Sequence, residues 1–158
     1  MALETGFFIQ RSELRVETDL DVMSRVVKWF DQFDRPPLTH RLWLEAQIAL
    51  IEGFTNAVRH AHQHLHETTP IELDVQVSPQ FFQLCIWDQG NPFDFELKLQ
   101  RLHHLINSPD FDPFTHETRW GGIMFLKLRL NYGWHISYDR PMVDRNCLRV
   151  EKLLSYPD

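Results

Sequence analysis

Glu52 and Asn56 stand four residues apart in the run Glu52-Gly53-Phe54-Thr55-Asn56. On a helix that spacing sets a carboxylate and an amide oxygen one turn apart on the same face. Magnesium takes oxygen ligands and keeps several waters, so one protein oxygen together with phosphates can hold it. A nearby carboxylate can then orient and deprotonate a hydroxyl. The competing reading is plain. Glu45, Ala49, Glu52, Asn56 and His60 form one helical stripe, and such a stripe also serves as a solvated face.

Asp88 follows the apolar run Phe81 to Trp87 and opens the turn cluster Asp88-Gln89-Gly90-Asn91-Pro92. A carboxylate there can accept a hydrogen bond from an amino group on a bound ring, or simply cap the turn. Gly121-Gly122 precedes the apolar run that starts at Ile123. A glycine at a helix start lets backbone N–H groups approach a phosphate, and the helix dipole favours the negative charge. It can equally end a loop. The pair is neither a P-loop nor a dinucleotide fingerprint. His60/His64 and His62/His66 are two i,i+4 pairs, a spacing that can bind a transition metal. No cysteine or H-E-x-x-H pattern accompanies them, and a polar helix end is the better reading.

These residues need elements to hold them. A short strand is expected at Glu13 to Val16. Leu20, Met23, Val26, Val27, Phe30 and Phe33 recur with helical spacing, behind Thr18 or Asp19 as cap. Arg35-Pro36-Pro37 ends that helix. Thr39 caps a second, spanning about residues 40 to 65, with Leu44, Ile48, Ile51, Phe54, Val58, Ala61 and Leu65 as its apolar stripe. Ile71, Leu73, Val75 and Val77 alternate with polar residues, and residues 81 to 87 pair with them across Pro79-Gln80 as a hairpin. Residues 94 to 106 read as helix. Residues 107 to 121, with Pro109, Pro113, Asp110, Phe111, Asp112, Phe114 and Glu117, lack a period and read as a lid. Residues 123 to 130 read as a helix ended by Tyr132-Gly133. Trp134, Ile136 and Tyr138 alternate as a strand, with Leu148, Val150 and Lys152 as its partner. The order predicts an α+β sandwich, with helices on one face of a mostly antiparallel mixed sheet, in one domain over residues 1–158.

Composition narrows the function classes. The chain has 158 residues, a net charge of −6 and 43% hydrophobic residues, including twelve Phe and five Trp. That length and composition fit one globular core and exclude global disorder. The acidic balance argues against a general nucleic-acid binder. Residues 1 to 10 carry no basic n-region, and no run approaches the roughly 20 apolar residues of a membrane span. Two cysteines, Cys85 and Cys147, in a chain of this kind point to free thiols in a reducing compartment. A soluble cytoplasmic protein is expected.

Three segments together resemble the GHKL ATPase superfamily. Glu52-Gly53-Phe54-Thr55-Asn56-Ala57-Val58-Arg59-His60-Ala61 looks like its N-box, E-x-x-x-N-A-x-x-H-A. Asp88-Gln89-Gly90-Asn91-Pro92-Phe93-Asp94 looks like its G1 box, D-x-G-x-x-F-D. Trp120-Gly121-Gly122-Ile123 looks like a G2 box, with Trp120 where that pattern usually has its first glycine. The order and spacing are most similar to the anti-sigma factor serine kinases of bacterial partner-switching systems. The resemblance spans about residues 10 to 154.

The resemblance implies a Bergerat-type fold that uses ATP and Mg2+. It implies that Asn56 holds the magnesium, that Glu52 is the general base toward a serine hydroxyl, and that Asp88 receives the adenine amino group. Gly90 would let the ring approach, and Gly121 and Gly122 would present N–H groups to the phosphates. Arg119, by position and charge, is a candidate to neutralise the γ-phosphate. The implied partners are a sigma factor and an anti-sigma-factor antagonist protein, with a possible homodimer. A catalytically inactive, nucleotide-responsive binding module of the same fold is the alternative that Trp120 favours. A sensor histidine kinase's ATP-binding domain is a third reading. The lack of a preceding dimerisation helix with a phosphoacceptor histidine speaks against it.

Overall fold

The structure is a computed structural model and describes residues 10–112 and 122–154. Five strands, β1 (Gln10–Val16), β2 (Ile71–Ser78), β3 (Phe81–Asp88), β4 (His135–Met142) and β5 (Arg145–Leu153), form one sheet in the order β1-β2-β3-β5-β4. Among the described residues all four pairings are antiparallel, where a mostly antiparallel mixed sheet was expected. The alternation in β2 buries Ile71, Leu73, Val75 and Val77, while Glu72, Asp74 and Gln76 lie on the other face. Register aligns Leu14, Leu73, Ile86, Leu148 and Tyr138 in a row across all five strands. The core lies between this face and four helices, α1 (Met23–Phe30), α2 (His40–Asn56), α3 (Phe95–Ile106) and α4 (Gly122–Tyr132).

Local chemistry sets the element ends. Asp19 caps a short 3-10 turn, Leu20–Val22, by accepting from the Asp21 N–H, and α1 follows. Thr39 accepts from the Leu42 N–H and starts α2, and Asp94 accepts from the Leu97 N–H and starts α3. Gly133, at φ 69°, ends α4 in the left-handed region, and the Trp134 N–H reaches back to the Leu128 carbonyl.

Helix α2 departs from expectation in two ways. Its buried face is Trp43, Ala46, Ala49, Leu50, Gly53 and Phe54, whereas Leu44 and Ile51 of the expected apolar stripe are 43% and 38% exposed. The reason is close packing rather than hydrophobicity. A Cβ on Gly53 would lie 2.6 Å from side-chain carbons of both Ile86 and Leu148, so the small residues let the helix lie directly on the sheet. Glu45, expected on a solvated stripe, is buried and accepts from Trp134 Nε1 at 3.0 Å, with Arg41 at 3.6 Å. The helix is also shorter than expected. It ends at Asn56, and residues Ala57–Ala61 form a π-turn in place of a helix running to residue 65.

Candidate nucleotide site

The π-turn widens the end of α2. The His62 N–H bonds to the Ala57 carbonyl, five residues back, at 2.9 Å. This turns His62 inward, where it is buried. Thr18 Oγ1 donates to the Thr69 carbonyl at 2.6 Å, so its lone pair accepts from His62 Nδ1–H at 2.7 Å. His62 Nε2 accepts from the Gln89 N–H at 2.8 Å. Both ring nitrogens are satisfied only in the neutral form. The polar helix end expected for this histidine run does not hold for His62, because the α-helix ends at Asn56 and the π-turn carries that side chain into the interior. No metal-binding cluster occurs among the described residues.

Burial pulls the His62 pKa below its usual value, against a smaller opposite effect of Asp88. A lowered folded-state pKa means the unfolded chain takes the proton first. The stability this group contributes is therefore complete above about pH 6.5 and is lost as pH falls below it. Thermal melts at pH 7.5 and 5.5 should show wild type losing stability on acidification, and His62→Gln losing less. An equal loss in both would contradict this assignment.

Gln89 belongs to the turn after β3, and there Asp88 is 4% exposed. Asp88 Oδ1 accepts from the Gly90 N–H at 2.9 Å and from Asn146 Nδ2 at 2.8 Å. Its Oδ2 accepts from the Tyr138 hydroxyl at 2.8 Å. Asn146 also donates to the Gly90 carbonyl at 2.9 Å, as does Arg140 Nη1 at 2.9 Å. The turn-cap reading of Asp88 is therefore correct, and the same carboxylate lines a cavity with Asn56, His60, Phe93, Phe125 and Tyr138.

Gly90 has a structural reason apart from any ligand. A Cβ there would sit 2.5 Å from the Ala61 carbonyl oxygen, so the turn touches the π-turn backbone directly. Backbone cannot swing aside as a side chain can. Gly90→Ala should cost about 2–3 kcal/mol, as overpacking does, and lower the melting temperature by roughly 5–10 °C for a chain of this size. A melt within about 1 °C of wild type, well inside the scatter of neutral surface changes, would overturn this account.

Asn56 lines the cavity, and its buried Nδ2 has no hydrogen-bond partner. A buried amide left without a partner is costly unless something else completes the site. Glu52 lies one turn earlier on α2 and is half-buried. Desolvation raises its carboxyl pKa above the ordinary range. Glu52 does not line the cavity itself and stands beside it. Gly122 is the first described residue of α4 and is buried. Phe125, one turn on, lines the same cavity and brings that helix start to the site. Arg119, Gly121 and residues 113–121 of the expected lid lie outside the described residues.

The fold therefore brings Asn56, Asp88 and the first turn of α4 around one cavity, with Glu52 at its edge. The residues fit magnesium and ATP in kind. One amide oxygen, a buried carboxylate acceptor and a helix N-terminus are the groups that metal, base and phosphate need. Sequence reasoning missed Tyr138, Asn146, Arg140 and the structural role of His62. Tyr138 carried the signal of an inward strand position only. The β3–β5 register, which sets Asn146 opposite Asp88, has no local signature.

Cys85 and Cys147 are both buried free thiols, on adjacent strands. No helix among the described residues is long and apolar enough to cross a membrane. No curated protein matches the chain. A family model, the histidine kinase-like ATPase domain, matches residues 16–124. That span runs from the end of β1 through the Glu52–Asn56 helix and the Asp88 turn to the first turn of α4. It covers more than half of the sequence, and the sheet with its helical layer is the architecture that the motifs implied. The chain belongs to the histidine kinase-like ATPase domain family.

Proposed function

We propose that this chain binds ATP with magnesium and transfers the γ-phosphoryl group to a serine of an anti-sigma-factor antagonist, while its other partner is a sigma factor. One observation carries this reading. A half-buried carboxylate with raised proton affinity, Glu52, stands one turn from a cavity-lining amide, Asn56, whose buried nitrogen lacks a partner. A purely structural helix face does not need that arrangement, and a general base beside a metal ligand does. Asn56 is the residue that would hold magnesium through its amide oxygen. When bound, the ion neutralises phosphate charge.

The chain's own residues do the rest. Asp88 accepts from the base and orients it. Glu52 takes the serine proton as the serine oxygen bonds to the γ-phosphorus. The bond from that phosphorus to the β–γ bridging oxygen breaks, and ADP leaves. The first turn of α4 stabilises phosphate charge through its helix dipole and backbone N–H groups.

Calorimetric titration with ATP, with and without magnesium, followed by radiolabelled transfer to candidate antagonists, tests the reading. Magnesium-dependent binding with phosphoserine on one antagonist is expected. No ATP binding under either condition would overturn it. A second reading, a nucleotide-responsive binding module without transfer, is favoured by Trp120 in place of a glycine. It predicts ATP binding with no labelled antagonist.

A further inference from the structure

Cys85 and Cys147 take no part in the cavity. Their chain neighbours Ile86 and Leu148 point into the core, so alternation turns both thiols to the sheet face away from the helices. Register sets Cys85 between Asp74 on β2 and Arg149 on β5. It sets Cys147 between Trp87 on β3 and Asp139 on β4. The two thiols are therefore diagonal neighbours across one antiparallel strand pair, within side-chain reach of each other. Cys85 keeps 6% exposure, a path for a small reagent, and Cys147 has none.

Their surroundings make the two sulfurs unequal. A hydrogen bond from Cys147, joined by the Arg149 charge, holds the Cys85 thiol below its usual pKa, against burial and Asp74. The same bond together with burial pushes Cys147 far up, so Cys147 keeps its proton. Arg149 Nε is buried, and Glu151 at 3.6 Å is too far to accept a hydrogen bond from it. That leaves a spare donor across the ladder from Cys85, where negative charge on sulfur is stabilised.

We propose that Cys85 and Cys147 form a peroxide-oxidisable dithiol, with Cys85 as the attacking sulfur and Cys147 as the resolving one. The Cys85 thiolate bonds to one oxygen of hydrogen peroxide. The O–O bond breaks, and the departing hydroxide takes up the proton that the Cys85 thiol released, leaving as water. Cys85 is then a sulfenic acid. The Cys147 sulfur bonds to the Cys85 sulfur, the S–O bond breaks, and the hydroxyl leaves with the Cys147 proton as a second water. Two thiols are oxidised to one disulfide while one peroxide is reduced to two waters.

Diagonal neighbours have Cα atoms about 7–8 Å apart, and an unstrained disulfide spans about 4.4–6.8 Å. Closure therefore draws β3 and β5 together locally, and a bridge closed under strain is readily reduced again. Oxidation is thus reversible by a small thiol. None of this depends on what the cavity binds.

The test treats the full chain with hydrogen peroxide, denatures it, blocks free thiols with N-ethylmaleimide and reads the intact mass. Untreated protein should take two maleimides. Oxidised protein should take none and have lost two hydrogens, and dithiothreitol should restore both sites. Met142, 53% exposed, reports by its sulfoxide that the oxidant acted. Two free thiols in protein whose Met142 is oxidised would overturn the proposal. So would a disulfide between two chains, or a Cys85 sulfinic acid beside a free Cys147.

Dimedone, which traps sulfenic acids, assigns the roles. Cys147→Ser should be labelled at Cys85, and Cys85→Ser should be labelled at Cys147 at least about ten-fold more slowly, since the thiolate is the reacting form. Equal labelling overturns the assignment. Arg149→Gln should slow Cys85 labelling in the Cys147→Ser background about ten-fold, and an unchanged rate removes Arg149 as the activating cation. The wild-type masses decide the matter even where a variant fails to fold.

Discussion

Asn56→Ala should lose at least about 100-fold in magnesium-dependent ATP affinity, since even outer-shell partners of a metal cost about 10- to 100-fold. The same change should leave the melting temperature nearly untouched. Those two outcomes belong together because of how Asn56 is held. Its Nδ2 is buried and bonds to nothing, so alanine removes no intramolecular hydrogen bond and relieves one unsatisfied donor. A residue kept for packing or for a helix cap would behave the other way, with stability falling and affinity following it down. Calorimetry with and without magnesium, beside a thermal melt, separates the cases. Retained magnesium-dependent affinity would remove Asn56 as the metal ligand. A large drop in melting temperature would make it a structural residue.

Much of this site is legible in the amino-acid sequence, and the parts that are not share a cause. Element identity is legible wherever a local signal decides it. The alternation in residues 71 to 77, the Thr39 cap and Gly133 after the last helix all appear as the sequence signals predict. The face of α2 is not legible, because periodicity weighs side chains by apolar size. Ala46, Ala49 and Gly53 score weakly, yet their smallness is what brings the helix onto Ile86 and Leu148. Leu44 and Ile51 score strongly and lie outward.

The π-turn is equally invisible. A projection at one fixed angle per residue carries His60, His62, His64 and His66 along a helix that has already ended. Asp88 can be placed at a strand end, but its three donors come from a turn, from β4 and from the start of β5. Residues 138 and 146 reach it only through strand register, which is a non-local property of the fold.

Glu52→Gln carries the second large expected effect, and its signs divide in the same informative way. Glutamine keeps the shape of the side chain and cannot take a proton. Phosphoryl transfer to the antagonist should fall by about 10²- to 10⁴-fold, the usual contribution of a general base. ATP affinity should change little, because Glu52 stands beside the cavity and does not line it. Stability should move upward. Burial raises the folded-state pKa of Glu52, so at neutral pH the folded protein holds a carboxylate it would rather protonate. For an acid whose pKa rises on folding, that cost is absent below the unfolded value near 4.5 and fully present above the folded value. Removing the charge removes the cost, and Glu52→Gln should melt higher than wild type at pH 7.5, with the gap closing as pH falls. Wild-type transfer should in turn fade on acidification at a pH above the ordinary carboxylate range. Full transfer in the variant would dismiss Glu52 as the base. Lower stability at neutral pH would mean that the carboxylate is held by the fold for its own sake. A gain in stability with a loss of transfer is what a strained catalytic group predicts, since the energy that raises its proton affinity is also what makes it a competent base at neutral pH.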